Sequence, residues 1–126
     1  YAPIPWRFLL NMGSTGVSET EHGRALMRDM MSSFTKDDYV DLVSHGYKAI
    51  ATAIESERRF KVCCPAIIIC GTRDAAGFTK RLSRRWSQKT NIPLHWIEGA
   101  GHNANVDCPD AVNAAIDSFL DGLEEE

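Results

Sequence analysis

Cys64-Pro65-Ala66-Ile67-Ile68-Ile69-Cys70-Gly71-Thr72-Arg73-Asp74 is the stretch on which the fold turns. Ala66 to Cys70 is short and wholly apolar, with a proline before it and a glycine after it. Such a run predicts a strand buried on both faces, as in a parallel sheet. Gly71 predicts a turn that a bulkier residue would resist. Asp74 stands three positions beyond that glycine, at the carboxyl end of the expected strand. Open α/β sheets carry their working groups at that end.

Toward the C-terminus the pattern repeats. Ala75-Ala76-Gly77 reads as a turn, and Phe78 to Gln88 as a short helix with Leu82 and Trp86 facing inward. Lys80, Arg81, Arg84 and Arg85 stand at helical spacing and read as a solvated face. Leu94 to Ile97 is the next strand, and His95 within it reads as structural. Glu98-Gly99-Ala100-Gly101-His102 then forms a glycine-rich turn that sets His102 at the sheet edge. Pro109 suits the first turn of a closing helix, with Asp107 or Cys108 near its cap. Val112, Ala115, Ile116, Phe119 and Leu120 make its expected buried stripe, before the acidic tail from Asp121 to Glu126.

Toward the N-terminus, Trp6 to Leu10 is an apolar and aromatic run that reads as a first strand, with a Gly13-Ser14-Thr15-Gly16 loop after it. Ser14 is not a nucleophile elbow of the Gly-x-Ser-x-Gly form, because Met12 stands where the first glycine belongs. Ser18 with Glu21, and Thr35 with Asp38, have capping-box spacing. Leu26, Met27, Met30, Met31 and Phe34 recur at helical intervals, giving a methionine-rich face. That face reads either as ordinary packing or as an adaptable lid over an apolar substrate. Met27, Met30, Met31 and Tyr39 are the candidate substrate contacts. Tyr39, Leu42, Val43, Tyr47, Ile50, Ala51 and Ile54 form a second helical stripe, interrupted at Gly46. His45 reads as a surface or core-edge histidine. A charged run from Glu55 to Lys61 leads back to the opening stretch.

Composition bounds the function. At 126 residues the chain is one domain or part of one. A net charge of −3 and a pI near 5.8 point away from nucleic acid. No apolar run approaches a membrane span, and no secretory leader is visible. Cys63, Cys64, Cys70 and Cys108 match no metal-binding spacing and read as free thiols in a reducing, cytoplasmic setting. No cofactor is expected.

An Asp and a His that lie beyond adjacent parallel strands can meet across their loops. The Asp fixes the imidazole tautomer, and the His carries a proton from nucleophile to leaving group. The structural alternatives are an Asp74 that caps the next helix and a His102 that braces a turn.

Pro65 to Asp74 resembles the acid-bearing segment of α/β-hydrolase enzymes. Ile97-Glu98-Gly99-Ala100-Gly101-His102-Asn103-Ala104-Asn105-Val106-Asp107-Cys108-Pro109 resembles their histidine segment, and Val112 to Leu120 their closing helix. The 28-residue separation of Asp74 and His102 is also similar. The resemblance implies that Asp74 is the triad acid and His102 the triad base. It implies an α/β class, a three-stranded parallel partial sheet of an α/β-hydrolase fold with a helical lid insertion. Residues 1–12 would hold the first strand, 13–60 the lid and connecting helix, and 61–126 the core with the acid and histidine loops. The nucleophile and oxyanion hole would lie upstream of Tyr1. The implied function is the C-terminal portion of a Ser-Asp-His hydrolase. Its small-molecule substrate would be an ester, amide or lactone with an apolar part. The alternative is a non-catalytic binding or structural fragment. An open sheet edge at Trp6–Leu10 would invite self-association.

Overall fold

The computed structural model describes residues 3–56 and 61–124. Tyr1, the middle of the charged run after Glu55 and the last two residues of the acidic tail lie outside the described residues. Among the described residues six helices and two strands stand in this order: α1 (Trp6–Val17), α2 (Glu21–Ser32), α3 (Lys36–Glu55), β1 (Ile68–Gly71), α4 (Thr79–Thr90), β2 (Leu94–Ile97), α5 (Ala104–Asp107) and α6 (Pro109–Glu124).

The sheet among the described residues has two strands, not the three expected. β1 and β2 run parallel, pairing Ile68 with Leu94, Ile69 with His95, Cys70 with Trp96 and Gly71 with Ile97. α4 makes the crossover between them. The missing third strand is Trp6–Leu10, which is the start of α1. A five-residue apolar run cannot be told from a buried helix segment by periodicity alone. Its helical state is set by its neighbours on both sides. Phe8 and Leu9 donate their N–H groups to the Pro5 carbonyl at 2.9 and 3.3 Å, starting the helix. The helix then runs through Gly13 and Gly16 to Val17, burying Leu9 and Ser14. Gly13 lets the two helices pack closely: a Cβ there would lie 2.7 Å from the Met31 Sδ and Cε of α2, and the flexible end of that side chain would have to shift. The fold is therefore a two-stranded parallel sheet flanked by helices. The strand edge expected at Trp6–Leu10 does not exist, because a helix satisfies its own backbone groups, and the self-association expected through it loses its basis.

The capping chemistry is partly as expected. Thr35 caps α3, accepting from the Asp38 N–H at 3.2 Å. At α2 the cap is Thr20, which accepts from Gly23 N–H at 3.1 Å. Ser18, the expected cap, bonds Asp107 instead. Gly46 does not interrupt α3, which is continuous. Pro109 opens α6 as its position suggested.

The principal core is small: Ile97, Ala100, Ala104 and Val112, with Ile69, Cys108 and Ala115 packed against it. Much of the expected stripe pattern is not buried. Leu82 and Trp86 of α4 are 55% and 47% exposed. On α6 only Val112 is buried, while Ile116 and Leu120 are exposed. α3 buries no residue fully, and Leu42, Tyr47, Ile50 and Ile54 face solvent. The apolar faces of α3, α4 and α6 meet too little chain to cover them.

Candidate acid–base site

Asp74 and His102 meet. The His102 Nδ1–H donates to Asp74 Oδ2 at 2.9 Å. The contact exists because the ends of β1 and β2 are stitched together. Thr72 N–H donates to the Ile97 carbonyl at 2.9 Å, and Arg73 N–H to the Ala100 carbonyl at 2.9 Å. Gly99 N–H donates to the Thr72 hydroxyl at 2.9 Å. Gly71 permits this approach. A Cβ there would lie 2.2 Å from the carbonyl oxygens of both Ala100 and Gly101. The turn itself is made by Gly99, whose φ of 77° lies in the left-handed region.

Asp74 is 4% exposed, and each of its oxygens is engaged. Oδ1 accepts from the Ala76 N–H at 2.8 Å, which folds the loop back on itself. Asp74 does not cap α4, whose N-cap residue is Phe78. Oδ2 also receives the Cys70 thiol at 4.0 Å. Burial, and then the Asp74 charge, push the Cys70 thiol up from its ordinary value, so it stays protonated and is a poor nucleophile. The buried carboxylate holds one imidazole nitrogen, and the His102 side chain is otherwise 42% exposed. In the neutral ring an Nδ1 that donates leaves Nε2 as the basic nitrogen. This is the arrangement a general base needs.

No hydroxyl or thiol among the described residues is hydrogen-bonded to the His102 ring. Ser14 is fully buried and donates to the Asn11 carbonyl at 3.1 Å, while Thr15 donates to the same carbonyl at 2.7 Å. Both hydroxyls are occupied with helix backbone.

The expected substrate contacts separate into three environments. Met27 and Met30 line a cleft of about 210 Å³ together with Gly23, Leu26, Asn103, Asn105 and Val106. One wall of that cleft is therefore α2, and the other begins at the residue after His102. Met31 does not line that cleft: it is 2% exposed and packs on Gly13 of α1. The cause is helical phase, since Met30 and Met31 point about 100° apart. Tyr39 is half-buried beside Trp6, with ring centroids 5.4 Å apart. It borders a different hollow of about 220 Å³ with Leu9, Met12, Gly13 and Tyr47.

The basic cluster is used locally. Lys80 Nζ donates to the Thr72 carbonyl at 3.1 Å. Arg81 lies 4.4 Å from the Phe78 ring centroid and Arg84 4.8 Å from that of Trp96. His45 Nδ1–H donates to the Asp41 carbonyl at 2.7 Å within α3. The four cysteines are free, with Cys63 and Cys64 exposed. Among the described residues no helix is long and apolar enough to cross a membrane.

Asp107 is the residue whose importance the sequence conceals. Its position suggests a helix cap, yet it is buried and receives bonds from two segments far apart in the chain. Gly101 N–H donates to Oδ2 at 2.8 Å. Thr20 donates to Oδ1 through its N–H at 3.1 Å and its hydroxyl at 2.9 Å. Glu19 N–H reaches both oxygens, at 3.1 and 3.0 Å, and the Ser18 hydroxyl reaches Oδ1. Burial alone would raise this carboxyl, but the Ser18 hydroxyl and the N–H groups of Glu19, Gly101 and Thr20 outweigh it. They hold the group well below the usual carboxylate range. The only signal in the sequence is an acidic residue a few positions after the histidine.

Compared with models of known families, with curated proteins and with solved structures, the chain matches none of them.

Proposed function

We propose that this chain carries the acid and base of a Ser-Asp-His hydrolase, as the C-terminal portion of an enzyme of the α/β-hydrolase family. Its substrate is an ester, amide or lactone with an apolar part. The carrying observation is the Asp74–His102 hydrogen bond of 2.9 Å, made by a buried carboxylate and an accessible ring. Asp74 holds the imidazole in the Nδ1–H form and stabilises the imidazolium. His102 Nε2 takes the proton from the attacking hydroxyl and returns it to the leaving group. The attacking hydroxyl and the oxyanion donors come from a segment beyond these residues. The apolar substrate part is assigned to the Met27–Met30 wall of the cleft that adjoins the histidine loop.

The test is ester hydrolysis over a panel of acyl chain lengths. It compares this chain alone with the protein its gene encodes once upstream sequence is included. The chain alone is expected to be inert. The extended protein is expected to be active, and to lose about a thousandfold or more in kcat on Asp74→Asn or His102→Ala. Strong activity from this chain alone, abolished by Asp74→Ala, would refute an external nucleophile. An extended protein inert across the panel would refute the hydrolase reading. That result would favour a binding fragment, a role the exposed apolar faces of α3, α4 and α6 would suit.

A further inference from the structure

We propose that Asp107 is a positioning residue for His102, a buried carboxylate that locks the α1–α2 link onto the histidine loop. The assignment rests on the acid–base reading of Asp74 and His102. His102 itself is exposed on one side, so its backbone must be held from elsewhere. Both of its neighbours are pinned to one short segment. On one side, Gly101 N–H donates to Asp107 Oδ2 at 2.8 Å. The same carboxylate gathers Ser18, Glu19 and Thr20. On the other side, Asn103 N–H donates to the Val17 carbonyl at 2.8 Å. Residues 101 and 103 are thus tied to residues 17–20, with the histidine between them.

The knot has no room for alternatives. A Cβ on Gly23 would lie 2.0 Å from Ser18 Oγ and 3.0 Å from Asp107 Oδ1. A Cβ on Gly101 would lie 3.0 Å from Asp107 Oδ2 and 3.2 Å from the Val17 carbonyl. Every partner of the carboxylate is a donor, so only an acceptor on both oxygens satisfies it. Asparagine has the same shape but turns an NH₂ toward N–H groups. The knot also joins the two walls of the Met27–Met30 cleft, since α2 begins at Glu21 and the opposite wall includes Asn103, Asn105 and Val106. One side chain therefore sets the base and its neighbouring cleft wall together.

The experiment uses the ¹⁵N-labelled full chain in mildly alkaline buffer. Imidazole ¹⁵N shifts report the His102 tautomer, and amide exchange reports Gly101 and Asn103. In the unaltered chain His102 is expected as the Nδ1–H form. Asp107→Asn is expected to mix the tautomers and to speed exchange at Gly101 and Asn103 by about tenfold or more. A folded Asp107→Asn variant with the tautomer and both exchange rates unchanged would overturn the assignment, as would faster exchange with an unaltered tautomer. Should that variant fail to fold, Ser18→Ala with Thr20→Val removes two donors and leaves the charge. Partial loss of the same signatures is expected there, and no change would again overturn it. Asp74→Asn separates the two ideas. If it leaves the His102 tautomer untouched, the acid–base pair fails, while the exchange rates at Gly101 and Asn103 still judge Asp107.

Discussion

At Gly71 the missing side chain matters because of the atoms that stand opposite. A Cβ there would press on the carbonyl oxygens of Ala100 and Gly101, so Gly71→Ala must push the histidine loop away from β1. The expected result is a loss of about 1–3 kcal/mol in stability, seen as a lower denaturation midpoint. A midpoint equal to that of the unaltered chain would show that the loop moves freely. Asp107 makes a different prediction at the same scale. Its folded carboxyl lies below the ordinary value of 3.8, so between the two values the unfolded chain binds more protons. Its stabilising contribution is therefore complete above about pH 4 to 5 and declines as pH falls toward the folded value. Acid unfolding curves should show Asp107→Asn less stable than the unaltered chain at neutral pH, with the gap narrowing in acid. A gap that widened in acid would contradict the sign.

The elements differ in how much of their stability is their own. α3 has a side-chain cap at Thr35 and two acidic residues, Asp37 and Asp38, in its first turn, but it buries no residue fully. It depends on local interactions more than α1 or α2 does. Thr35→Ala should cost about 1 kcal/mol and fray its first turn, measured by amide exchange over residues 36–40. Protection there equal to that of the unaltered chain would mean that tertiary contacts, not the cap, hold the helix. α1 is the opposite case. Two glycines and no side-chain cap make it a weak helix by itself, and its packing on α2 through Gly13 and Met31 holds it.

Across the whole molecule the balance of burial is unusual. Leu82, Trp86, Leu42, Ile50, Ile54 and Leu120 are all about half exposed or more, well beyond scattered surface apolar residues. The described residues thus hold a hydrogen-bonded Asp74–His102 pair beside incompletely covered helices. The isolated chain should bind an apolar dye such as ANS and show concentration-dependent size in sedimentation. Leu82→Lys with Trp86→Glu should weaken both effects while leaving the Asp74–His102 contact intact. An unaltered chain that is monomeric and dye-free at all concentrations would mean these faces are covered by rearrangement.

The two strands, the α4 crossover, the Thr35 cap and the start of α6 at Pro109 were legible in the sequence. Each rests on interactions between residues close in the chain, or on a short apolar run bounded by proline and glycine. The meeting of Asp74 with His102 was anticipated from two similar strand ends, and parallel pairing in register brings them together. Three other features were decided only by tertiary structure. Trp6–Leu10 is helical because α1 packs on α2, and a short apolar run carries no period that would reveal it. Met31 and Tyr39 stand apart from the Met27–Met30 cleft because helical phase fixes which side of α2 or α3 a residue occupies, but not what stands opposite. Asp107 acquired its role because five donor groups from Ser18, Glu19, Thr20 and Gly101 converge on one carboxylate. Four of these come from residues nearly ninety positions away, and no local pattern encodes a convergence made by folding.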